Sequence, residues 1–153
     1  MRVIAIDPGR TTGYCYAAFK DDKLFYHPFQ MTDDVDDLWH RLVKFKPVHI
    51  VIEDFEFRGG ARKGLDLYPV QLIGVVNLFH ALSSNQLYVQ KAATGKSYYS
   101  DNTLKKLDLY VRGIPHGMDA SRHLLQWATF GPGYRFSKGD YKLVGMNAFN
   151  LHD

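Results

Sequence analysis

The sequence predicts an α/β fold with a mixed five-stranded sheet flanked by helices, in which three antiparallel strands precede the parallel ones. Three apolar runs follow one another within residues 2–29 and are separated only by short polar turns. Longer connections with helical periodicity occur only after the third run. The next strand, residues 48–52, is apolar except for His49, which is typical of a strand covered by helices on both faces.

The first three strands are expected at residues 2–7, 13–19 and 24–29. Aromatic side chains in the second run favour extended structure. Residues 20–23, Lys-Asp-Asp-Lys, provide a polar hairpin connection to the third strand. Because such short connections join antiparallel neighbours, the three strands are expected to form a meander.

A helix is expected to follow the third strand. Asp33 or Asp34 can cap a helix whose apolar residues repeat at spacings of three and four, and Pro47 lies just past its end. This helix is a crossover connection, so the strand at residues 48–52 should run parallel to the first strand and beside it.

Further along the chain, Pro69 is expected to start a second helix and residues 86–90 to form a fifth strand. The last clear helix covers about residues 117–130. Residues 1–130 therefore form one predicted domain. Residues 131–153, which are rich in glycine, serine and aromatic residues, are expected to form a C-terminal tail or arm.

Composition narrows the class of protein. A chain of 153 residues with 46% hydrophobic content can bury one core of ordinary size. The single cysteine, Cys15, cannot form an internal disulfide and is expected to be a small buried side chain. We find no stretch of about 18 apolar residues and no signal-peptide pattern. We therefore expect a cytoplasmic protein with no membrane partner.

Ligands for a metal ion stand at the ends of predicted elements. Asp7 ends the first strand, Glu53 ends the fourth, and His116 and Asp119 lie one helical turn apart near the start of the last helix. If the first and fourth strands are parallel neighbours, their two acids meet at one edge of the sheet. Carboxylates suit Mg²⁺, which keeps several waters and takes a few oxygen ligands. A pair of ions held there could drive phosphodiester hydrolysis, so the sequence predicts a metal-dependent nuclease.

Each of these residues also has an ordinary structural explanation. Asp7 could only shape the turn that follows it, and Glu53 competes with Asp54, which points to the opposite face of a strand. His116 could be a loop residue, and Asp119 could complement the helix dipole. The metal-ligand interpretation is preferred because the separate segments are predicted to converge.

The order and spacing of these motifs resemble a known family. The motifs are Asp-Pro-Gly at residues 7–9 with Thr12-Gly13, an apolar strand ending in Glu53, and His-Gly-Met-Asp-Ala at residues 116–120. They are similar to the RuvC-type Holliday junction resolvases of the RNase H-like superfamily. The resemblance covers residues 2–130 and implies an RNase H-like nuclease domain. The short chain and the sequence Asp-Ala-Ser-Arg-His, which begins at Asp119, resemble phage-encoded members of the family more than cellular ones.

The resemblance implies a homodimeric endonuclease that depends on Mg²⁺ or Mn²⁺, with two ions per active site, and that cuts two strands of a four-way DNA junction. Asp7 would bridge the ions, Glu53 would bind one of them, and Asp119 would fill the last carboxylate position. His116 occupies a position that holds aspartate or histidine in the family. All four would be catalytic. A phage-encoded enzyme would act in the cytoplasm of a bacterial host.

Cationic and hydroxyl side chains supply candidates for contact with DNA phosphates. The cations are Arg58, Arg62 and Lys63 in a glycine-containing segment, and Lys96 in a later lysine-containing segment. An ordinary solvated loop remains the alternative for the first group. Thr11 and Thr12 either hydrogen-bond a phosphate or close the turn after the first strand.

Aromatic side chains after the second acid are candidates for stacking on bases. Phe55 and Phe57 lie there, but their spacing differs from that of the family, so either one could stack.

Other functions remain open. The alternatives are another RNase H-like nuclease acting on branched DNA or RNA–DNA hybrids, and a non-catalytic junction-binding module. A sugar-kinase or actin-like ATP-binding fold also begins with a strand followed by Asp, Gly and Thr. It requires two such domains, for which 153 residues are too few.

Overall fold

The computed structural model describes residues 1–56, 66–131 and 140–149. The strands are β1 (Arg2–Asp7), β2 (Thr12–Lys20), β3 (Lys23–Met31), β4 (His49–Glu53), β5 (Gln86–Gln90) and β6 (Tyr141–Leu143). The α-helices are α1 (Val35–Phe45), α2 (Tyr68–Leu82), α3 (Ala92–Tyr98), α4 (Asp101–Lys106) and α5 (Pro115–Phe130), and a 3₁₀ helix spans Met146–Phe149. The strands form one sheet in the order β5-β4-β1-β2-β3-β6.

The predicted α/β class and strand directions are confirmed. β1, β2 and β3 form an antiparallel meander, and β4 runs parallel to both β1 and β5. The predicted number of five strands is wrong, because Tyr141–Leu143 adds a sixth strand parallel to β3. Three residues are too few to show the alternation that predicts a strand. The described part of the predicted tail, residues 140–149, therefore lies against the sheet, with Phe149 buried.

A capping box marks the start of α1, and a proline marks the start of α2. The carboxylate of Asp34 accepts hydrogen bonds of 2.9 Å from the backbone N–H groups of Asp36 and Asp37. The Asp37 carboxylate in turn accepts from the backbone N–H of Asp34, which completes a capping box. Pro69 lies in the first turn of α2, as predicted.

Helices cover both faces of the sheet, so side chains of β1 alternate between two hydrophobic clusters. Ile4 and Ile6 belong to the cluster under α1 and α2, whereas Val3 and Ala5 belong to the cluster under α5. Cys15 is buried in the α5 cluster, as expected. No helix within the described ranges is both long and apolar enough to span a membrane.

Candidate active site

The two predicted strand-end acids lie side by side. β1 and β4 are parallel, with Ile6 opposite Ile52. Asp7 and Glu53 are the next residues on the two strands, so they lie at the same edge of the sheet. The Asp7 side chain is only 13% exposed. The pKa of Asp7 is raised to about 6, first by burial and then by the neighbouring carboxylates of Glu53 and Asp119, while the contact with His116 lowers it in part. Asp7 therefore lies in a crowded, negatively charged position.

The first two turns of α5 bring the other two predicted residues to this edge. His116 Nδ1 lies 3.1 Å from Asp7 Oδ2, and the His116 backbone N–H donates to Gln30 Oε1 on β3 at 3.0 Å. Asp119 follows one turn later, close enough for its charge to act on Asp7. The other three residues predicted as metal ligands, which come from β4 and α5, thus lie near Asp7 on β1.

Two glycines allow α5 to approach the sheet this closely. A Cβ atom at Gly13 would lie 1.9 Å from the His116 carbonyl oxygen, and one at Gly117 would lie 2.7 Å from the Phe29 carbonyl oxygen. Real Cβ atoms essentially never show contacts below 3.0 Å. Gly13 and Gly117 are therefore required because the helix backbone rests directly on β2 and β3.

Asp119 is held by two cations. Arg122 Nη1 lies 2.5 Å from Asp119 Oδ1, and Lys96 Nζ lies 3.1 Å from Asp119 Oδ2. The Arg122 side chain is buried and also donates to the Tyr99 carbonyl at 2.8 Å and to the Asp101 carboxylate. Arg122 thereby ties Asp119 to the segment that joins α3 and α4.

Glu53 is held by a buried histidine. His123 Nε2 lies 2.9 Å from Glu53 Oε2, and the imidazole is almost fully buried. The competing acid, Asp54, is exposed. Sequence reasoning did not assign Arg122 or His123, although their spacing of three and four residues after Asp119 places them on the same side of α5.

The side chains of Asp7, Glu53, His116 and Asp119 are of the types that bind a divalent cation, but the described residues are not arranged around one ion position. Within residues 1–56, 66–131 and 140–149, no three His, Cys, Asp or Glu side chains are arranged around a common ion position. Three carboxylates and an imidazole nevertheless provide the ligand types that Mg²⁺ and Mn²⁺ accept. The pKa of Asp7 is raised mainly by burial, and the charges of Glu53 and Asp119 add to this, which places acidic groups close to Asp7.

The candidate DNA-contacting residues have different environments. Thr12 is fully buried and its hydroxyl donates to the Gly9 carbonyl at 2.8 Å, so it closes the turn after β1, whereas Thr11 is partly exposed. Phe55 and Lys96 line a cavity of about 310 Å³ beside Glu53.

The remaining DNA-contact candidates, Phe57, Arg58, Arg62 and Lys63, lie outside the described residues.

Comparison with solved structures places this arrangement in a known fold. Thermus thermophilus RuvC in complex with a Holliday junction substrate superposes with a TM-score of 0.65 at 17% sequence identity, over 85% of this chain and 94% of that chain. The chain has a RuvC-like fold. A second Thermus thermophilus RuvC structure gives a TM-score of 0.61 at 16% identity, over 86% of this chain and 97% of that one.

The chain is also similar in fold to a viral protein. The fowlpox virus Holliday junction resolvase superposes with a TM-score of 0.53 at 14% identity, over 83% of this chain and 97% of that chain. No protein-family model and no curated protein sequence matches the chain. At these identities the similarity is one of fold, so function has to be argued from the site.

Proposed function

We propose that the protein is a divalent-metal-dependent endonuclease that resolves four-way DNA junctions by paired phosphodiester hydrolysis. The observation that carries the proposal is the convergence of Asp7, Glu53, His116 and Asp119 at the carboxyl ends of β1 and β4 and the start of α5. Solved structures with the same fold are described as RuvC and as a Holliday junction resolvase, one of them with its junction substrate.

The carboxylates of Asp7, Glu53 and Asp119, with His116, would hold Mg²⁺ or Mn²⁺, two ions per active site. Divalent ions bound there would polarise the phosphodiester and make a bound water more acidic. The protein's own contribution is to fix the ligands. His116 contacts Asp7, and Arg122 contacts one oxygen of Asp119 and directs the other toward Lys96.

Lys96 is the described cation best placed to contact a DNA phosphate. It is 61% exposed, and it lies between Asp119 and the cavity beside Glu53. When cations bind Asp119, the Lys96 ammonium would be released to a phosphate oxygen. Phe55 in the same cavity is the proposed stacking residue, and Thr11 the proposed hydroxyl contact. Arg58, Arg62, Lys63 and Phe57 remain candidates from the sequence.

We further propose that the enzyme is a homodimer that pairs through α2. This 15-residue helix has no Lys, Arg, Asp or Glu, and it is apolar on both sides. Leu72 and Val76 are buried in the core, whereas Val70, Leu78 and Leu82 are 42%, 54% and 70% exposed. These exposed residues are eight and four positions apart, so they lie in one row along the helix surface.

A second α2 helix fits this surface. Gly74 lies in the same row, where a Cβ atom would meet nothing within 4 Å. An uncharged apolar strip of this kind suits a second copy of itself, as in a two-fold dimer. Two active sites in one dimer would account for paired cuts. The setting that we propose is a phage-encoded enzyme acting in a bacterial cytoplasm.

A cleavage panel tests the proposed activity. Purified full-length protein is incubated with a synthetic four-way junction, a flap, a linear duplex and an RNA–DNA hybrid, each with Mg²⁺, Mn²⁺ or chelator. We expect paired nicks in the junction only when a divalent ion is present. Asp7→Asn, Glu53→Gln and Asp119→Asn should each reduce the rate by orders of magnitude while the domain stays folded.

Other outcomes of the panel would identify a different activity. Preferential cutting of the hybrid or the flap would contradict junction resolution and indicate another nuclease of the same fold. Tight junction binding with no cleavage under any metal condition would indicate a non-catalytic binding module. Full activity in one isosteric variant would remove that residue from the site.

A further inference from the structure

We infer that His123 is a positioning residue that holds the Glu53 carboxylate in the orientation needed for cation binding. This inference rests on the proposed function in one respect, which is that Glu53 is a metal ligand. The imidazole is 2% exposed, and both of its nitrogens face oxygen atoms. Nε2 lies 2.9 Å from Glu53 Oε2, and Nδ1 lies 2.7 Å from Gln90 Oε1. Contacts on both sides of the ring fix its orientation.

Gln90, which contacts the His123 imidazole, is itself held by hydrogen bonds through both its backbone and its side chain. It is the last residue of β5, lies opposite Glu53 in the sheet, and accepts a backbone hydrogen bond of 2.8 Å from the Asp54 N–H. Its side-chain Nε2 donates to Gln126 Oε1 at 2.9 Å. The chain of contacts therefore runs from Glu53 through His123 and Gln90 to Gln126.

This network links two proposed ligands through one rigid helix. Asp119 and His123 are four residues apart on α5 and lie on the same side. α5 therefore provides Asp119 directly, and it orients Glu53 indirectly through His123. A glutamate side chain loses conformational freedom when it binds a metal ion. Because His123 has already fixed Glu53, that loss is reduced when a cation binds.

Simple core packing does not account for His123. A buried imidazole needs hydrogen-bond partners, which an aliphatic side chain of similar size would not. The neighbours in sequence, Leu124 and Leu125, fill the core under α5 without polar contacts. His123 instead contacts the carboxylate beside Asp7, which is the pattern of residues that orient metal ligands.

Mn²⁺ titration of the purified full chain without DNA, by isothermal titration calorimetry, tests the inference. His123→Leu should weaken Mn²⁺ binding about 10- to 100-fold, the range typical when a residue that orients a ligand is lost. His123→Gln keeps a side-chain N–H that can donate to Glu53, so it should lose less. His27→Leu is the matched control, because His27 is a partly buried histidine whose Nδ1 lies 2.9 Å from the Val144 carbonyl oxygen and whose ring stacks on Phe29.

A double variant separates positioning from a general structural effect. In a Glu53→Gln background, adding His123→Leu should leave the remaining Mn²⁺ affinity unchanged, because the carboxylate that His123 holds is gone. An equal loss in that background would overturn the inference. So would wild-type affinity in a folded His123→Leu protein, with folding checked by circular dichroism and thermal unfolding.

If His123→Leu does not fold, Gln90→Ala replaces it, because this residue lies at the sheet edge and supports the imidazole from behind. A weakening of Mn²⁺ binding would support the inference, and unchanged binding would overturn it.

The inference and the proposed function fail in different ways. Wild-type protein that binds Mn²⁺ through Glu53 but does not cut junctions would contradict the proposed function alone. Junction cleavage by the wild type, with unchanged Mn²⁺ binding in the His123 or Gln90 variant, would contradict the inference alone. A wild-type protein that binds no Mn²⁺ would overturn both.

Discussion

Gly13→Ala tests how closely α5 must approach the sheet for the site to form. The added Cβ would lie 1.9 Å from the His116 carbonyl oxygen, 2.2 Å from the carbonyl carbon and 2.9 Å from the Gly117 nitrogen. Ordinary contact begins at 3.4 Å, so the helix start must retreat by about 1.5 Å, the difference between 3.4 and 1.9 Å. Every obstructing atom is backbone, so a change of side-chain rotamer cannot relieve the clash.

Such a retreat should affect both stability and activity. Overpacking of this kind costs about 1 to 3 kcal/mol or more of unfolding free energy. It also moves His116 and Asp119 away from Asp7, and a misplacement of about 1 Å can cost roughly 100-fold in rate. We therefore expect lower stability in urea and at least a 100-fold loss of junction cleavage at a temperature where the variant is folded.

Gly145→Ala is the matched control for this experiment. A Cβ atom at Gly145 would meet nothing within 4 Å, so stability should change by only about 0.5 kcal/mol and cleavage should be unaffected. Equal stability and activity in Gly13→Ala and Gly145→Ala would refute the argument that α5 rests on β2.

Three further predictions concern charge and assembly. Because the folded pKa of Asp7 is about 6 against an ordinary 3.8, wild-type stability in chelator should fall as pH rises from about 4 to 6. Asp7→Asn should avoid this loss, so its free energy of unfolding in urea should rise relative to that of the wild type by up to about 3 kcal/mol between pH 3.5 and pH 8. Parallel plots of unfolding free energy against pH for the two proteins would contradict this. Lys96→Met removes the ammonium group from one oxygen of Asp119, so calorimetry should show tighter Mn²⁺ binding without DNA. Gel shifts of the same variant should show weaker junction binding with a shallower salt dependence. Unchanged values in both assays would mean that Lys96 is an ordinary surface residue. Leu78→Glu places a charge in the apolar strip of α2, so sedimentation should detect a monomer where the wild type is a dimer; dimers in both would exclude this interface.

The positions of Asp7 and Glu53 were predictable because they depend on local patterns. Short polar turns fixed an antiparallel meander, and one helical crossover placed the strand that ends in Glu53 parallel to the strand that ends in Asp7. The helix spacing of His116 and Asp119 then required only that α5 pack on the sheet. In the structure His116 contacts Asp7, and the charges of Glu53 and Asp119 act on Asp7; their role as ligands stays a prediction.

The residues that support the ligands were not predictable in the same way. Arg122 and His123 lie in a helix segment that also contains Leu124 and Leu125, and only tertiary contacts show which side chains face a carboxylate. Lys96 was a candidate phosphate contact from the sequence, but its ion pair with Asp119 was not predictable, because α3 lies in a segment whose sequence shows no clear helical or strand pattern. The need for Gly13 likewise arises from a helix more than 100 residues later in the chain.

The most direct test of the central claim is the position of bound Mn²⁺ in crystals of the protein, located by anomalous scattering. The account predicts density within bonding distance of carboxylate oxygens of Asp7, Glu53 and Asp119, and its loss in Asp7→Asn crystals. Mn²⁺ bound only elsewhere on the protein, with no density near these three carboxylates, would contradict it.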